Sequence, residues 1–450
     1  MMNNQDTIFS LITAPGVGAV QVVRLSGAKT ISILNALVSN IWFEPRRAEL
    51  VQIRDLISDA ILDSALVVCF KGPNSYTGED VCEFSLHGSP FILRRLFDNL
   101  IKLGARFAKA GEFTERAYLN GKLDLAQAEA VADLIHAQTE NQARLANDQL
   151  SGRLSQAITV LGEPLRDLLA EIEANIDFPE EDITPLGYSK WNDAIDRVRL
   201  EIASYLNTFS QGKLIKDGAS VVLVGLPNAG KSSLLNALVG EDRVIVTPIA
   251  GTTRDSIEEE LILEGLVIRL WDTAGLAGEG FGARAPDEIE KLGVERSWKK
   301  AKEADLILYL SEFGEDKSLD GLVLEKVSLL GPKVLKVRTK ADLGDNLNKV
   351  DLEISVKSGV GIQELKKQIS AQLLGEKKES LLITTERHRA LLQQADDFLS
   401  DTVNALNEKT PAEFISASLR SALVALEEII GVTTSDDILG LIFSKFCIGK

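Results

Sequence analysis

Eight residues at 225–232, GLPNAGKS, have the composition and spacing needed to hold a polyphosphate. They follow the β-branched run SVVLVG and lead into SLLNALVG, which has the pattern of a helix. Gly225 and Gly230 permit backbone conformations that turn amide N–H groups toward phosphate oxygens, and a helix N-terminus adds positive potential there. Lys231 can reach the outer phosphates, and the Ser232 hydroxyl can ligate magnesium. The nucleotide contacts expected here are Asn228, Ala229, Gly230, Lys231, Ser232 and Ser233. A glycine turn that merely joins strand to helix is the competing reading, and the complete motif in its strand, loop and helix context argues against it.

The base is selected elsewhere. DTAG at 272–275 closes an apolar run, which puts the Asp272 carboxylate near the magnesium and the Gly275 N–H near a γ-phosphate, with Thr273 and Ala274 between them. TKAD at 339–342 follows the run KVLKV, and Asp342 can accept both hydrogen bonds of the guanine N1 and N2 edge, a donor pair that adenine lacks. Thr339 and Lys340 belong to the same reader, and the backbone of Ser355, Val356 and Lys357 fits a loop that covers the base. In PIAGTTRD at 248–255, Thr253 can complete the magnesium shell and sense the γ-phosphate, as a switch loop does. The expected ligands are GTP and Mg2+.

These residues need a scaffold, and its grammar is legible. At 450 residues the chain exceeds one ordinary core. Residues 1–119 alternate short apolar runs with turn signals around one helical stretch, which reads as an α+β domain. Residues 120–212 carry periodic Ala, Glu, Gln and Leu, as long helices do, broken near DFPEEDITPLGYS at 177–189. Residues 213–376 switch to β-branched runs separated by helical segments, the pattern of a doubly wound, mostly parallel sheet. From 377 to 450 the helical pattern resumes, so the fold class expected is multidomain α/β and α, with a P-loop G domain inserted into a helical domain.

Composition excludes several classes. No apolar run reaches the roughly 18 residues of a membrane span, and the N-terminus lacks signal-peptide character, which makes the cytoplasm the expected location. The net charge of −17 disfavours broad nucleic-acid adhesion. The first 120 residues are balanced in charge, so the surplus falls on the rest, and any nucleic acid must meet a local patch or a second protein. Cys69, Cys82, Cys447 and the three histidines lack zinc or disulfide-framework spacing, so reduced thiols and no transition metal are expected.

Together with GPNSYTGEDVCEF at 72–84, GEFTERAYLNGKLDLAQAEA at 111–130, NIDFPEE at 175–181 and the terminal SDDILGLIFSKFCIGK, the nucleotide motifs closely resemble the MnmE (TrmE) family of tRNA-modification GTPases, over essentially the whole chain. The resemblance implies potassium-dependent hydrolysis by G domains that pair face to face. Asn228 would ligate K+ with groups of Thr247, Ile249 and Thr252, and Glu290 would orient the attacking water. It further implies a dimerising N-terminal domain that holds 5-formyltetrahydrofolate or a related folate through Arg24, Glu83, Lys122 and Lys450, with the Cys447 thiol nearby. The implied assembly is a homodimer joined by a flavin-dependent partner in a heterotetramer, with FAD held by the partner, tRNA contacted mainly through it and no membrane. The implied reaction is modification at C5 of the wobble uridine.

Two departures from the family pattern stand out. Thr339 replaces the usual Asn and so lacks an amide that ties this loop to the P-loop and the base, which lowers the expected nucleotide affinity. AGEGFGARAP at 277–286 lengthens the segment before Glu290. Two other functions stay open: a regulatory switch such as a ribosome-assembly GTPase, and a one-carbon transferase that the G domain merely regulates.

Overall fold

The structure, a computed structural model, describes residues 6–38, 43–177, 185–242, 258–272, 297–312, 317–344, 350–375, 383–446 and 449. The chain begins with β1 (Thr7–Leu11), β2 (Gly18–Ser26), α1 (Thr30–Leu37), β3 (Ala48–Arg54), β4 (Ile61–Phe70), β5 (Val81–Gly88), α2 (Pro90–Lys102), β6 (Ala105–Phe107) and α3 (Glu112–Leu119). Helices follow: α4 (Leu125–His136), α5 (Glu140–Leu150), α6 (Arg153–Asp177), α7 (Pro185–Leu206) and α8 (Phe209–Asp217). The α/β block comprises β7 (Ala219–Gly225), α9 (Lys231–Asp242), β8 (Glu258–Leu263), β9 (Leu266–Asp272), β10 (Leu306–Glu312), α10 (Lys317–Ser328), β11 (Lys333–Thr339), β12 (Leu352–Glu353) and α11 (Ile362–Leu374). Three helices close the chain, α12 (Glu386–Asn407), α13 (Ala412–Ile430) and α14 (Asp436–Ser444). No described helix is long and apolar enough to cross a membrane.

Packing divides the chain into two compact units. One comprises Met1–Ile135, Asp148–Tyr188 and Phe398–Lys450; the other comprises His136–Asn147 and Ser189–Asp397. The first unit holds a six-stranded sheet in the order β3-β4-β5-β2-β1-β6, antiparallel except for the β1–β6 pair. Along β4, Asp63, Ala65, Val67 and Cys69 are buried while Ser64 and Leu66 are exposed, the alternation of a strand with one covered face. Phe9, Val23, Phe84 and Leu86 pack with Leu34 of α1 and Leu96 of α2 on that face.

A largely buried ion network ties the family segments 72–84 and 111–130 of this unit together. Arg116 donates to Glu79 at 3.0 and 3.1 Å, to Glu112 at 3.0 Å and to the Asp6 carbonyl at 2.8 Å. Arg106 pairs bidentately with Glu112, and Ser26 donates to Glu79 at 2.7 Å. Each carboxylate therefore meets several donors, which is the condition for keeping a charge out of water.

The second unit holds a sheet in the order β12-β11-β10-β7-β9-β8, parallel except for the β8–β9 hairpin. Val221 and Leu223 of β7 pack on one face with Leu234 of α9 and Leu365 of α11, while Val222 and Val224 pack on the other with Ile307 and Val327. Burial on both faces is why SVVLVG reads as an unbroken apolar run. The mixture of α+β, helical and doubly wound architecture is the fold class that the sequence implies. Strands β1, β3, β6, β8 and β12 carry too little periodic signal and emerge only from pairing, β8 as an antiparallel edge.

Candidate nucleotide-binding site

The carboxyl ends of β7, β9, β10 and β11 lie side by side, the position where open α/β sheets bind ligands. Gly225 ends β7, and a Cβ built there would come within 2.3 Å of the Leu310 carbonyl, so only glycine fits. The loop then turns through an Ala229 N–H bond to the Leu226 carbonyl at 3.2 Å. Asn228 and Gly230 take positive φ of 67° and 86°, conformations that asparagine and glycine tolerate. Helix α9 starts at Lys231, whose Nζ donates to the carbonyls of Gly225 and Leu226 at 3.0 Å each, folding back over its own loop.

Ser232 Oγ donates to Asp272 Oδ2 at 3.0 Å, joining the start of α9 to the end of β9. Asp272 Oδ1 is buried with no hydrogen-bond partner among the described residues. A hydroxyl and an orphaned carboxylate oxygen side by side make a hard-oxygen pair suited to Mg2+ and its water shell. The residues present therefore fit magnesium. Thr253, Thr273, Ala274 and Gly275 lie outside the described residues.

The residues expected to read the base sit on the neighbouring strand ends. Asp342 is exposed and accepts a 2.7 Å hydrogen bond from Ser355 Oγ, which, aided by Lys357 and Lys340, holds its carboxyl below the ordinary value. It is thus kept ionised and aimed as an acceptor. Lys340, at φ 58°, pairs with Glu312 at the end of β10. Sequence reasoning assigned Ser355 only a backbone role and did not name Glu312, because a tetrapeptide motif says nothing of its partners across a sheet. The tie expected to be missing at Thr339 is present in another form: its buried Oγ1 donates to the Ala229 carbonyl at 2.9 Å, with the Ser311 carbonyl at 3.3 Å. A hydroxyl on a shorter side chain reaches the P-loop because β11 carries it directly against Gly230.

Of the residues implied for potassium, Asn228 is exposed in the loop, while Thr247, Ile249 and Thr252 lie outside the described residues, as does Glu290. Among the folate residues, Arg24 and Glu83 face each other across β2 and β5, with Nε and Nη2 at 2.9 and 2.8 Å from Glu83 Oε1. The Arg24 guanidinium lies over the rings of Tyr76 and Phe113, at 5.0 and 5.5 Å from their centroids. Those aromatics were not anticipated, although both sit in the quoted family segments. Lys122 is exposed, following α3, with its stem near Gly78. Lys450 and Cys447 lie outside the described residues; Gly449 is buried, and a Cβ there would meet the Leu11 carbonyl at 2.4 Å. A cation stacked on rings beside a carboxylate offers flat and charged contacts to a pterin or glutamate tail, so the described part of this set fits a folate.

The family model for the MnmE helical domain matches residues 125–447, and that described as the GTP-binding protein TrmE N-terminus matches residues 7–122. A tRNA modification GTPase MnmE of Dechloromonas aromatica (strain RCB) is 40% identical over 454 residues, covering 99% of each chain. The protein of the same name in Dichelobacter nodosus (strain VCS1703A) is 42% identical over 455 residues, again covering 99% of each. Among solved structures, the G domain of the T. maritima FeoB iron transporter is 25% identical, covers 34% of this chain and 98% of its own, and has a TM-score of 0.28.

Proposed function

Since this chain belongs to the MnmE family of tRNA modification GTPases, we propose that it binds and hydrolyses GTP at Gly225–Ser232 and that hydrolysis serves modification at C5 of the wobble uridine in certain tRNAs. The observation that carries the nucleotide reading is the convergence of Lys231, Ser232, Asp272 and Asp342 on adjacent strand ends. P-loop amides and Lys231 would gather the phosphates, Ser232 and Asp272 would hold magnesium with its waters, and Asp342 would accept the guanine N1 and N2 hydrogens. Bound magnesium supplies positive charge to the phosphate oxygens.

The finer reading rests on family membership. Asn228 with Thr247, Ile249 and Thr252 would hold a potassium ion, which would supply the charge that an arginine finger gives elsewhere, an effect worth about 10³–10⁵ in rate. Glu290 orients the water, and Thr253 senses the γ-phosphate. Arg24, Glu83, Lys122 and Lys450 would hold a folate one-carbon donor. Two copies pair and work with a flavin-dependent protein that carries FAD and most of the tRNA contact.

The experiment has two arms. The wobble uridine of tRNA from cells lacking the protein is expected to lose its C5 modification; unchanged content rejects the tRNA role. Purified protein is expected to turn over GTP much faster in KCl than in NaCl, with Asn228→Ala removing the difference. Equal rates in the two salts reject the cation role and leave the nucleotide site standing.

A further inference from the structure

Strands β4 and β5 are antiparallel neighbours whose register sets Cys69 directly opposite Cys82. Both are free thiols, buried on the covered face of the sheet, and their Sγ atoms lie 2.8 Å apart. That is closer than two sulfur atoms come when they merely pack as small apolar groups. Residues directly opposite in an antiparallel pair have Cα atoms about 4.5–5.5 Å apart, inside the span of about 4.4–6.8 Å that a disulfide bridges. The sulfurs stand at 2.8 Å and a bond would draw them to about 2.05 Å, so closure needs only a small approach.

We propose that Cys69 and Cys82 form a site of reversible oxidation, closed to a cross-strand disulfide by a hydroperoxide and reopened by a dithiol. Cys69 keeps a trace of exposure, 4%, while Cys82 has none, so Cys69 is the sulfur that a small peroxide reaches first. Its thiolate attacks one peroxide oxygen; the O–O bond breaks, Cys69 becomes a sulfenic acid, and the departing hydroxide takes up the thiol proton as water. The Cys82 sulfur then attacks the sulfenic sulfur. The S–S bond forms as the S–O bond breaks, and hydroxide leaves with the Cys82 proton as a second water. Two thiols are oxidised by two electrons, and one hydrogen peroxide is reduced to two waters.

The bond closes a loop over two residues 13 apart in the chain. That loop carries Tyr76, which stacks on Arg24, and Glu79, which receives Ser26 and Arg116. Oxidation thus tethers the segment that shapes the surroundings of the Arg24–Glu83 pair. This inference stands on strand register and sulfur contact, independently of the nucleotide reading.

The full chain is treated with hydrogen peroxide under native conditions, quenched with catalase, unfolded in iodoacetamide, and mapped by peptide mass. A Cys69–Cys82 peptide pair lighter by two hydrogens, carrying no alkyl group and recovered as two alkylated peptides after dithiothreitol, is expected. Cys447→Ser, which removes the third thiol, is expected to leave that pair intact. Recovery of Cys69 and Cys82 both alkylated, overoxidised separately, or linked to Cys447 or across chains overturns the proposal.

Discussion

At the residue scale, the nucleotide reading depends on short side chains whose protons are already committed. Thr339 has one hydroxyl proton, given to the Ala229 carbonyl inside a buried contact. Thr339→Val keeps the shape and removes the donor, leaving a buried carbonyl unpaired at a cost of about 1–3 kcal/mol. GDP binding by calorimetry is expected to weaken by about tenfold, which corresponds to 1.4 kcal/mol, because the P-loop is no longer pinned to the guanine loop. Ser355 acts on Asp342 in a different way, by stabilising its ionised form. Removing that donor in Ser355→Ala returns the carboxyl toward the ordinary carboxylate range. Base reading needs the carboxylate, so the variant is expected to lose GDP affinity at a higher pH than the native chain as buffers are made more acid. Titrations across that range check it, and coincident profiles would show that Ser355 does not tune Asp342.

At the element scale, the informative piece is the start of α5, within the same compact unit as the nucleotide site. Thr139 caps this helix through the Gln142 N–H at 3.2 Å, and Gln142 Oε1 accepts from the Gln138 N–H at 2.8 Å. The side chains of Asn141 and Gln142 then donate to the Gly265 and Lys216 carbonyls at 3.1 and 2.9 Å. One helix start thereby grips the β8–β9 turn and the end of α8. Gly265 has φ 76°, and a Cβ there would come within 2.7 Å of Asn141 Nδ2. Gly265→Ala is expected to cost about 1–2 kcal/mol from the left-handed backbone, with the Asn141 bond lost as well. Asn141→Ala alone is expected to cost about 1 kcal/mol. Because the two changes break one grip, urea denaturation of the double variant should show less than the sum.

At the scale of the whole molecule, acid should test the ion network of the first unit, in which Arg116 pairs with Glu79 and Glu112. Burial alone would raise the Glu112 carboxyl, yet Arg106, the Lys109 N–H and Arg116 hold it down at about 2 against an ordinary 4.5. A folded value below the unfolded one contributes stability that is complete above about 4.5 and lost as pH falls toward about 2. Glu112→Gln leaves two guanidiniums short of their partner, at a cost of about 3 kcal/mol near neutrality. The gap from the native chain is expected to close in strong acid, as denaturation at several pH values would record. The sequence by itself determined the class of each segment, the phosphate loop and the guanine preference, because glycine placement, apolar period and carboxylate chemistry are properties of consecutive residues. It could not determine that Thr339 reaches Ala229, that Ser355 tunes Asp342, that Arg24 lies over two aromatic rings, or that Cys69 faces Cys82. Those are decided by sheet order and register, which bring together residues far apart in the chain, and local sequence encodes no distance across a fold.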